Sequence, residues 1–180
     1  MINQALLRLK SASKIVTRME PDALDLLVSD HMKVEALLLQ LRLRRDDIAR
    51  TRLLRQIKAD LDLHMRIEEE IFYPACREVT KLEGLVEHAY DEHEEAREIV
   101  RSLASTKPSS QKYSKCVTEL IKALEHHVSE EENKLFPEVR KHMGKQEFLR
   151  MSRQMVAMHE GQKPRRKMKT AKKSSQRKAA

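Results

Sequence analysis

The sequence predicts an all-α protein, an antiparallel up-down four-helix bundle with a short extra helix at its carboxyl end. The composition supports this, because the 180 residues include only 3 Gly, 5 Pro and no Trp, with an aromatic fraction of 3%. Such a chain lacks the turn residues and strand formers of a β-sandwich or barrel. Apolar residues also recur at steps of three or four along four long segments, which indicates amphipathic helices. The short joins between these segments favour antiparallel neighbours.

The first two helices are predicted from their start signals. Pro21 and the acids beside it mark a helix start, and the first helix runs to about residue 45. Asp46 and Asp47 can begin the second helix, in which Pro74 removes a backbone donor and predicts a kink near the end. The apolar stripes of these helices contain Leu24, Leu27, His31, Val34, Leu38 and Leu41, and then Ile57, Leu61, His64, Glu68, either Ile71 or Phe72, and Ala75.

The remaining helices follow the same pattern. The third is expected over about 81–105, a loop over 107–110, and the fourth helix over about 110–142 with a second kink at Pro137. A short fifth helix is expected over about 145–159. Their stripes contain Leu82, Leu85, Ala89, His93, Ala96, Val100 and Leu103, then Cys116, Leu120, Leu124, His127, Glu131 and Leu135, and finally Phe148, Met151 and Met155.

The charges divide the chain into a body and two basic ends. We predict a basic extension at 1–20, the bundle at 21–160 and a basic disordered tail at 161–180. Nine basic residues lie in 163–180 and four in 1–18, so 19–162 holds 23 basic against 28 acidic residues, although the whole chain carries +8. The favoured role of 163–180 is a solvated tail. The alternative is weak, salt-sensitive contact with nucleic-acid phosphates or an anionic membrane.

Sequence features also predict a compartment. No run of 18 apolar residues is present, so a membrane span is not expected. The two cysteines, Cys76 and Cys116, match no zinc or redox spacing, and buried thiols favour a reducing, cytoplasmic setting. The acid-free segment 1–18 has the composition of a mitochondrial presequence, which is the alternative. The apolar stripes are used within the bundle, which favours a monomer.

A repeated motif carries the chemistry. Each half of the chain contains His-x-x-x-Glu-Glu followed by Pro ten residues after the His, beginning at His64 and at His127. A further His lies upstream in each half: His31 precedes His64 by 33 residues, and His93 precedes His127 by 34. All four histidines occupy apolar stripes, so the chain has the order H, HxxxE, H, HxxxE.

These residue types at this spacing predict a metal site. Residues i and i+4 share a helix face, so each HxxxE directs an imidazole and a carboxylate toward one point. Imidazole suits iron, manganese or zinc, and a carboxylate can bridge two ions. Burying two carboxylates without compensation costs several kcal/mol each, which metal ions offset. The candidate ligands are His31, His64, Glu68, His93, His127 and Glu131. The alternative is a metal-free polar network, which must satisfy six buried groups by itself.

The segments DALDLLVSDHMKVEALL, HMRIEEEIFYPA, DEHEEAREIV and HHVSEEENKLFPEVRK resemble the hemerythrin-like, or HHE cation-binding, domain over about 22–160. The resemblance implies a four-helix bundle that holds two iron ions. It further implies that the four histidines are terminal ligands and that Glu68 and Glu131 bridge the metals. Iron is preferred from the resemblance alone, so manganese and zinc stay open.

The match departs from oxygen-carrying hemerythrins on the third helix. Those proteins have His-x-x-x-His there, whereas this chain has Ala89 and Arg97 four residues either side of His93. His88 lies about 140° away around the helix, which makes it a poor substitute. The missing ligand favours redox chemistry over reversible oxygen carriage, since an open coordination position admits peroxide.

Three carboxylates are secondary candidates. Glu35, four residues after His31, is a weaker ligand candidate, and a surface position is favoured for it. Glu69 and Glu132 can replace their neighbours but are less well directed at i+5.

The predicted function is therefore a di-iron protein that binds or reacts with dioxygen, peroxide or nitric oxide, with a peroxide-decomposing activity left open. The alternative is a metal sensor or iron-handling interaction module without turnover. A lesser alternative is nucleic-acid association through the basic tail.

Overall fold

A computed structural model describes residues 21–78 and 82–162 of the chain. In these ranges the regular structure is helical, and the predicted all-α class is confirmed. Helix α1 spans Ala23–Leu43, α2 Asp47–Ile67, α3 Tyr73–Arg77, α4 Glu83–Ala104, α5 Gln111–Glu130, α6 Phe136–His142 and α7 Lys145–Gln162. The extension predicted at 1–20 lies outside the described residues, as do residues 163–180 of the tail predicted at 161–180, whereas Gly161 and Gln162 are the last residues of α7.

The two predicted helix starts are present as side-chain caps. Asp22 accepts from the backbone N–H of Asp25, whose own side chain accepts from the backbone N–H of Asp22, and this reciprocal box begins α1. Asp46 accepts from the backbone N–H of Ala49 and begins α2. Each cap satisfies a donor that the first turn would otherwise leave without a partner, and is worth about 1 kcal/mol.

The kinks predicted at Pro74 and Pro137 take the form of π-helical turns placed ahead of the prolines. One π turn, Glu68–Phe72, joins α2 to α3, and the other, Glu131–Leu135, joins α5 to α6. Each turn closes with a bond over five residues, from the Tyr73 N–H to the Glu68 carbonyl in the first case. A proline cannot donate this kind of bond and its ring clashes with the preceding turn, so the wider π turn accommodates it.

Four long helical rods form the bundle. The rods are α1, α2 continued by α3, α4, and α5 continued by α6; consecutive rods pack together, and α1 also packs on α5 and α2 on α4. The loop predicted over 107–110 lies between α4 and α5, where Ser110 caps α5. The extra helix α7 packs on α1, and the Ser152 hydroxyl donates to the Pro21 carbonyl.

Two apolar clusters fill the interior, one at each end of the rods. One contains Leu27, Ile67, Phe72, Ala89 and Leu135 with residues of α7, and the other contains Val34, Leu61, Ala96, Leu120 and Leu124. Every rod therefore has a break in its apolar stripe at the same level, between the two clusters. The predicted histidines occupy that level.

Two further findings concern the cysteines and the length and hydrophobicity of the helices. Cys76 and Cys116 are buried free thiols, as expected. No helix in the described part of the chain is both long enough and apolar enough to cross a membrane.

Candidate metal centre

Each rod delivers one histidine to the interior. His31 on α1, His64 on α2, His93 on α4 and His127 on α5 are each no more than 4% exposed. A buried imidazole needs a partner for each ring nitrogen, so four of them at one level require a dense set of polar neighbours. The structure thus brings all four sequence-predicted histidines together.

The two predicted glutamates lie at the π turns. Glu68 and Glu131 are the first residues of these turns and are 0% and 1% exposed. Because each comes four residues after a histidine of the same rod, its carboxylate extends toward the same interior point. The wider π turn then places the next residue, at i+5, on the rim of the same site.

Glutamate oxygens and imidazole Nε2 atoms meet at short distances across the bundle. Glu68 Oε2 lies 3.1 Å from His64 Nε2 and 3.2 Å from His93 Nε2, and Glu131 Oε2 lies 3.2 Å from His31 Nε2. Two ligands bound about 2.1 Å from one ion are separated by roughly 3.0–3.4 Å. One donor atom from each of His31, His64, Glu68, His127 and Glu131 lies within 4.8 Å of all the others. Each glutamate thus contacts histidines of both halves, as a bridging carboxylate would.

The inward-facing atoms are buried without hydrogen bonds. Within the described residues, this is true of His31 Nε2, His64 Nε2, Glu68 Oε1, Glu68 Oε2 and Glu131 Oε2. Leaving so many polar atoms unsatisfied would cost roughly 1–3 kcal/mol for each. Cations coordinated by these atoms remove that cost, so the residues present fit a metal centre.

The outward-facing Nδ1 atoms have carboxylate partners of their own. His31 Nδ1 lies 2.9 Å from Glu132, and His93 Nδ1 lies 2.8 Å from Glu69. His127 Nδ1 lies 2.9 Å from Glu92. A carboxylate that accepts from Nδ1–H fixes the tautomer and leaves Nε2 directed inward.

The fourth histidine completes the pattern less tightly. His64 Nδ1 lies 3.9 Å from Asp30, which also pairs with His159 of α7 at 3.0 Å. The same pairing occurs in both halves of the chain: the acidic residue before His31 faces His64, and the acidic residue before His93 faces His127. The extra helix α7 thus supports the centre through His159.

Electrostatics set the protonation of the histidines. Burial opposes a charge on His31, but its contacts with Glu131 and Glu132 prevail and raise its pKa to about 9. Burial lowers the pKa of His64 to about 4, and it also lowers the pKa of His93. Without metal, His31 is therefore protonated at neutral pH, whereas His64 and His93 are neutral and ready to coordinate.

The two glutamates are pushed in opposite directions. Burial and the charge of Glu131 raise the pKa of Glu68 well above its ordinary value. Burial acts in the same way on Glu131, but the nearby His127 and the close contact with His31 outweigh it and lower its pKa. Two carboxylates this close cannot both ionise cheaply, so without metal one keeps a proton and the other is charged.

Tyr73 is a residue of the site that the sequence argument did not identify. It is fully buried, and its hydroxyl donates to Glu131 Oε1 at 2.8 Å and lies 3.3 Å from His93 Nε2. Burial and the two glutamate charges raise the pKa of Tyr73 well above 10.0, so it keeps its proton. Phe136, at the matching place in the second repeat, stacks on His31 with a centroid distance of 6.0 Å.

A small cavity adjoins the histidines. Its volume is about 20 Å³, enough for one or two waters, because one water needs roughly 10–15 Å³. The four histidines and Glu35 line it. The remaining lining side chains are apolar: Val34, Leu61, Met65, Leu124 and Val128. Glu35 is half-buried, and its Oε1 lies inside, so it occupies a boundary position between the cavity and the bundle surface. The steps of α1 place i+4 on the inner face, which brings Glu35 to the cavity wall.

Two features of the sequence point to the supporting residues. The doubled Glu of each HxxxEE predicted a spare carboxylate, and the structure assigns Glu69 and Glu132 to Nδ1 atoms of the opposite half instead of to the centre. The pairs Asp30–His31 and Glu92–His93 place an acid before each single histidine. Read together with the repeat, these acids mark a second layer of partners.

Four buried histidines and two buried glutamates inside a helical bundle define a class, the bundle proteins that hold cations in their core. The family model described as hemerythrin HHE cation binding domain matches residues 22–139. The chain therefore belongs to the hemerythrin HHE cation-binding family.

Similar proteins agree with this membership. A crystal structure of a hemerythrin HHE cation binding domain-containing protein from Mycobacterium kansasii superposes with a TM-score of 0.68 at 26% identity, covering 78% of this chain and 87% of that one. An uncharacterized hemerythrin-like protein of Schizosaccharomyces pombe is 27% identical over 71% of this chain and 64% of its own length. A Nostoc protein named DNA nickase is 29% identical over 68% of this chain. The matched part is only 35% of the Nostoc protein.

Proposed function

We propose that this chain is a non-haem di-iron protein that binds and reacts with a small ligand such as dioxygen, peroxide or nitric oxide. The observation that carries the proposal is the convergence of four histidines and two glutamates beside a cavity of about 20 Å³. We assign His31, His64, His93 and His127 as terminal ligands and Glu68 and Glu131 as bridging ligands. Iron bound there would supply one-electron chemistry by cycling between iron(II) and iron(III).

The cavity supports the small-ligand class. Its volume admits a diatomic molecule or peroxide but not an organic substrate. Its walls are largely apolar, with valine and leucine side chains between the imidazoles. Such walls exclude bulk water and strengthen electrostatic interactions with a bound ligand.

The protein's own groups would hold the ligands and supply a proton. Glu69, Glu92 and Glu132 hold the histidine rings by their Nδ1 atoms. The Tyr73 hydroxyl is the proton donor nearest to the bridging glutamate, at 2.8 Å. A phenol with a raised pKa stays protonated through the physiological range, so it can hydrogen-bond to a developing negative charge.

The proposal is tested by metal analysis together with a reaction assay. Wild type should hold two metals per chain, and His64→Ala and Glu131→Ala should each lose metal, with His142→Ala as a matched control because His142 is exposed. If both site variants kept two metals, the ligand assignment would be wrong. The iron-loaded wild type should then change its charge-transfer spectrum on titration with peroxide and evolve oxygen. Metal binding with no spectral change and no turnover would favour the sensor or iron-handling alternative.

A second candidate function concerns nucleic acid. Residues 163–180 contain nine basic and no acidic residues, and one relative is named a DNA nickase. We propose at most a phosphate contact through this segment, since it has no aromatic residue for base stacking. The full chain should be retained on immobilised DNA at low salt and released at moderate salt. The chain without 163–180 should not be retained even at low salt. Retention that survives the deletion would exclude this role.

A further inference from the structure

A second cluster of metal-binding side chains lies outside the buried centre. His88 and Glu92 are four residues apart on α4, and His126 faces them from α5. One donor atom of each lies within 4.8 Å of both others. The assigned function of the buried centre uses neither histidine.

The distances suit coordination of one ion. Glu92 Oε1 lies 3.5 Å from His88 Nε2 and 3.4 Å from His126 Nε2. Two ligands that bind one ion at 2.0–2.1 Å in tetrahedral geometry are about 3.4 Å apart. Two of the three distances therefore already have the length that a shared ion requires, and the donor atoms of all three residues lie within 4.8 Å of one another.

The three side chains of this cluster differ in exposure. Glu92 is 8% exposed, whereas the side chains of His88 and His126 are 54% and 62% exposed. Glu92 Oε1 is buried and accepts no hydrogen bond from the described residues. The carboxylate is held from its other side, where Oε2 accepts from His127 Nδ1 at 2.9 Å. The held Glu92 oxygen and the two exposed imidazoles can therefore bind an ion that arrives from solvent.

A small cavity is lined by residues of this cluster and by one residue of the buried centre. Its volume is about 10 Å³, and His88, Glu92, Glu130 and the inner Glu131 line it. Glu130 is paired with Lys134 at 2.6 Å, so we do not count it as a ligand.

We propose that His88, Glu92 and His126 form a second, solvent-accessible site for a divalent first-row transition-metal ion. Two imidazoles and one carboxylate suit Zn²⁺, Fe²⁺, Co²⁺ or Ni²⁺, with water completing the coordination. Glu92 links the two sites, because one of its oxygens faces the surface ion and the other holds a histidine of the buried centre.

The test titrates the full chain with Zn²⁺ by equilibrium dialysis. The double variant H88A/H126A should bind about one Zn²⁺ fewer per chain than wild type, whereas His142→Ala should bind the same number. The comparison does not depend on whether the buried centre fills, because both samples contain that centre and both substitutions lie at exposed positions. In histidine-selective NMR spectra the side-chain signals of His88 and His126 should shift at this step. Equal Zn²⁺ binding by the double variant and wild type, or unshifted signals, would overturn the proposal.

Discussion

Filling the buried centre should release about two protons per chain near pH 8. The perturbation is titration of the metal-free chain with Zn²⁺, which has no redox chemistry of its own. His31 gives up one proton, because its pKa is raised to about 9 and a coordinated Nε2 cannot carry one. Glu68 gives up the other, because without metal it lies too close to Glu131 for both buried carboxylates to be charged. His64 is already neutral, with a pKa of about 4, and Glu131 is already ionised. Neither residue therefore releases a proton when metal binds.

The same reasoning gives a pH dependence. A binding step that releases one proton strengthens about tenfold for each pH unit. If His31 had the ordinary histidine pKa, metal affinity would stop rising above about pH 6–7. With His31 at about 9, the affinity should keep rising until about pH 9.

The assay is calorimetric titration in buffers of different ionisation enthalpy, which counts the protons released. Glu132→Gln provides the informative variant, because Glu132 supports the raised pKa of His31 from 2.9 Å without facing the centre. It should lower proton release at pH 8 from about two toward one without changing the metal stoichiometry. Glu70→Gln, at an exposed position of the same kind of turn, should behave as wild type. Release near zero in the wild type, or no effect of Glu132→Gln, would refute this account of the centre.

Three further predictions concern Tyr73, His31 and the apolar core. Tyr73→Phe keeps the ring but removes the donor to Glu131, so metal affinity in a chelator competition should fall roughly 10–100-fold; an unchanged affinity would contradict a supporting role. In the metal-free chain, the raised pKa of His31 contributes stability that is complete below its ordinary pKa of 6.5 and lost as pH rises through about 9. The free energy of unfolding in urea should therefore be about 3 kcal/mol lower at pH 10 than at pH 7, and His31→Ala should largely remove this difference. The same difference in wild type and variant would contradict the prediction. Ile57→Ala, at a fully buried position, should cost about 2–5 kcal/mol in urea unfolding, whereas Ile48→Ala, 72% exposed, should cost little; similar losses would contradict the described packing.

The fold could be predicted from sequence because its signals are local. Capping acids at Asp22 and Asp46 and apolar stripes at helical spacing depend only on near neighbours. The π turns could not be predicted in the same way. Proline signalled an interruption, but its form depends on how the backbone redistributes hydrogen bonds over the preceding turn.

The candidate ligands could be predicted because the motif is repeated, and repetition distinguishes a site from a chance pair. The partners that hold them could not, since each pairing joins different helices. Glu132 lies 101 residues from His31 in sequence and Glu92 lies 35 from His127. Tyr73 was missed for another reason: a tyrosine beside an apolar stripe cannot be told from a core residue by sequence pattern, and only the position of its hydroxyl reveals a role.

The two repeats differ at the residue nine places after each motif histidine, which is Tyr73 in one and Phe136 in the other. Both rings lie against a histidine of the opposite half, so the shapes of the two sides match. Only one side has a phenol oxygen. Two ions in otherwise equivalent positions would therefore experience different fields and should have different reduction potentials. If the centre holds two iron ions as proposed, one of them would therefore be reduced before the other.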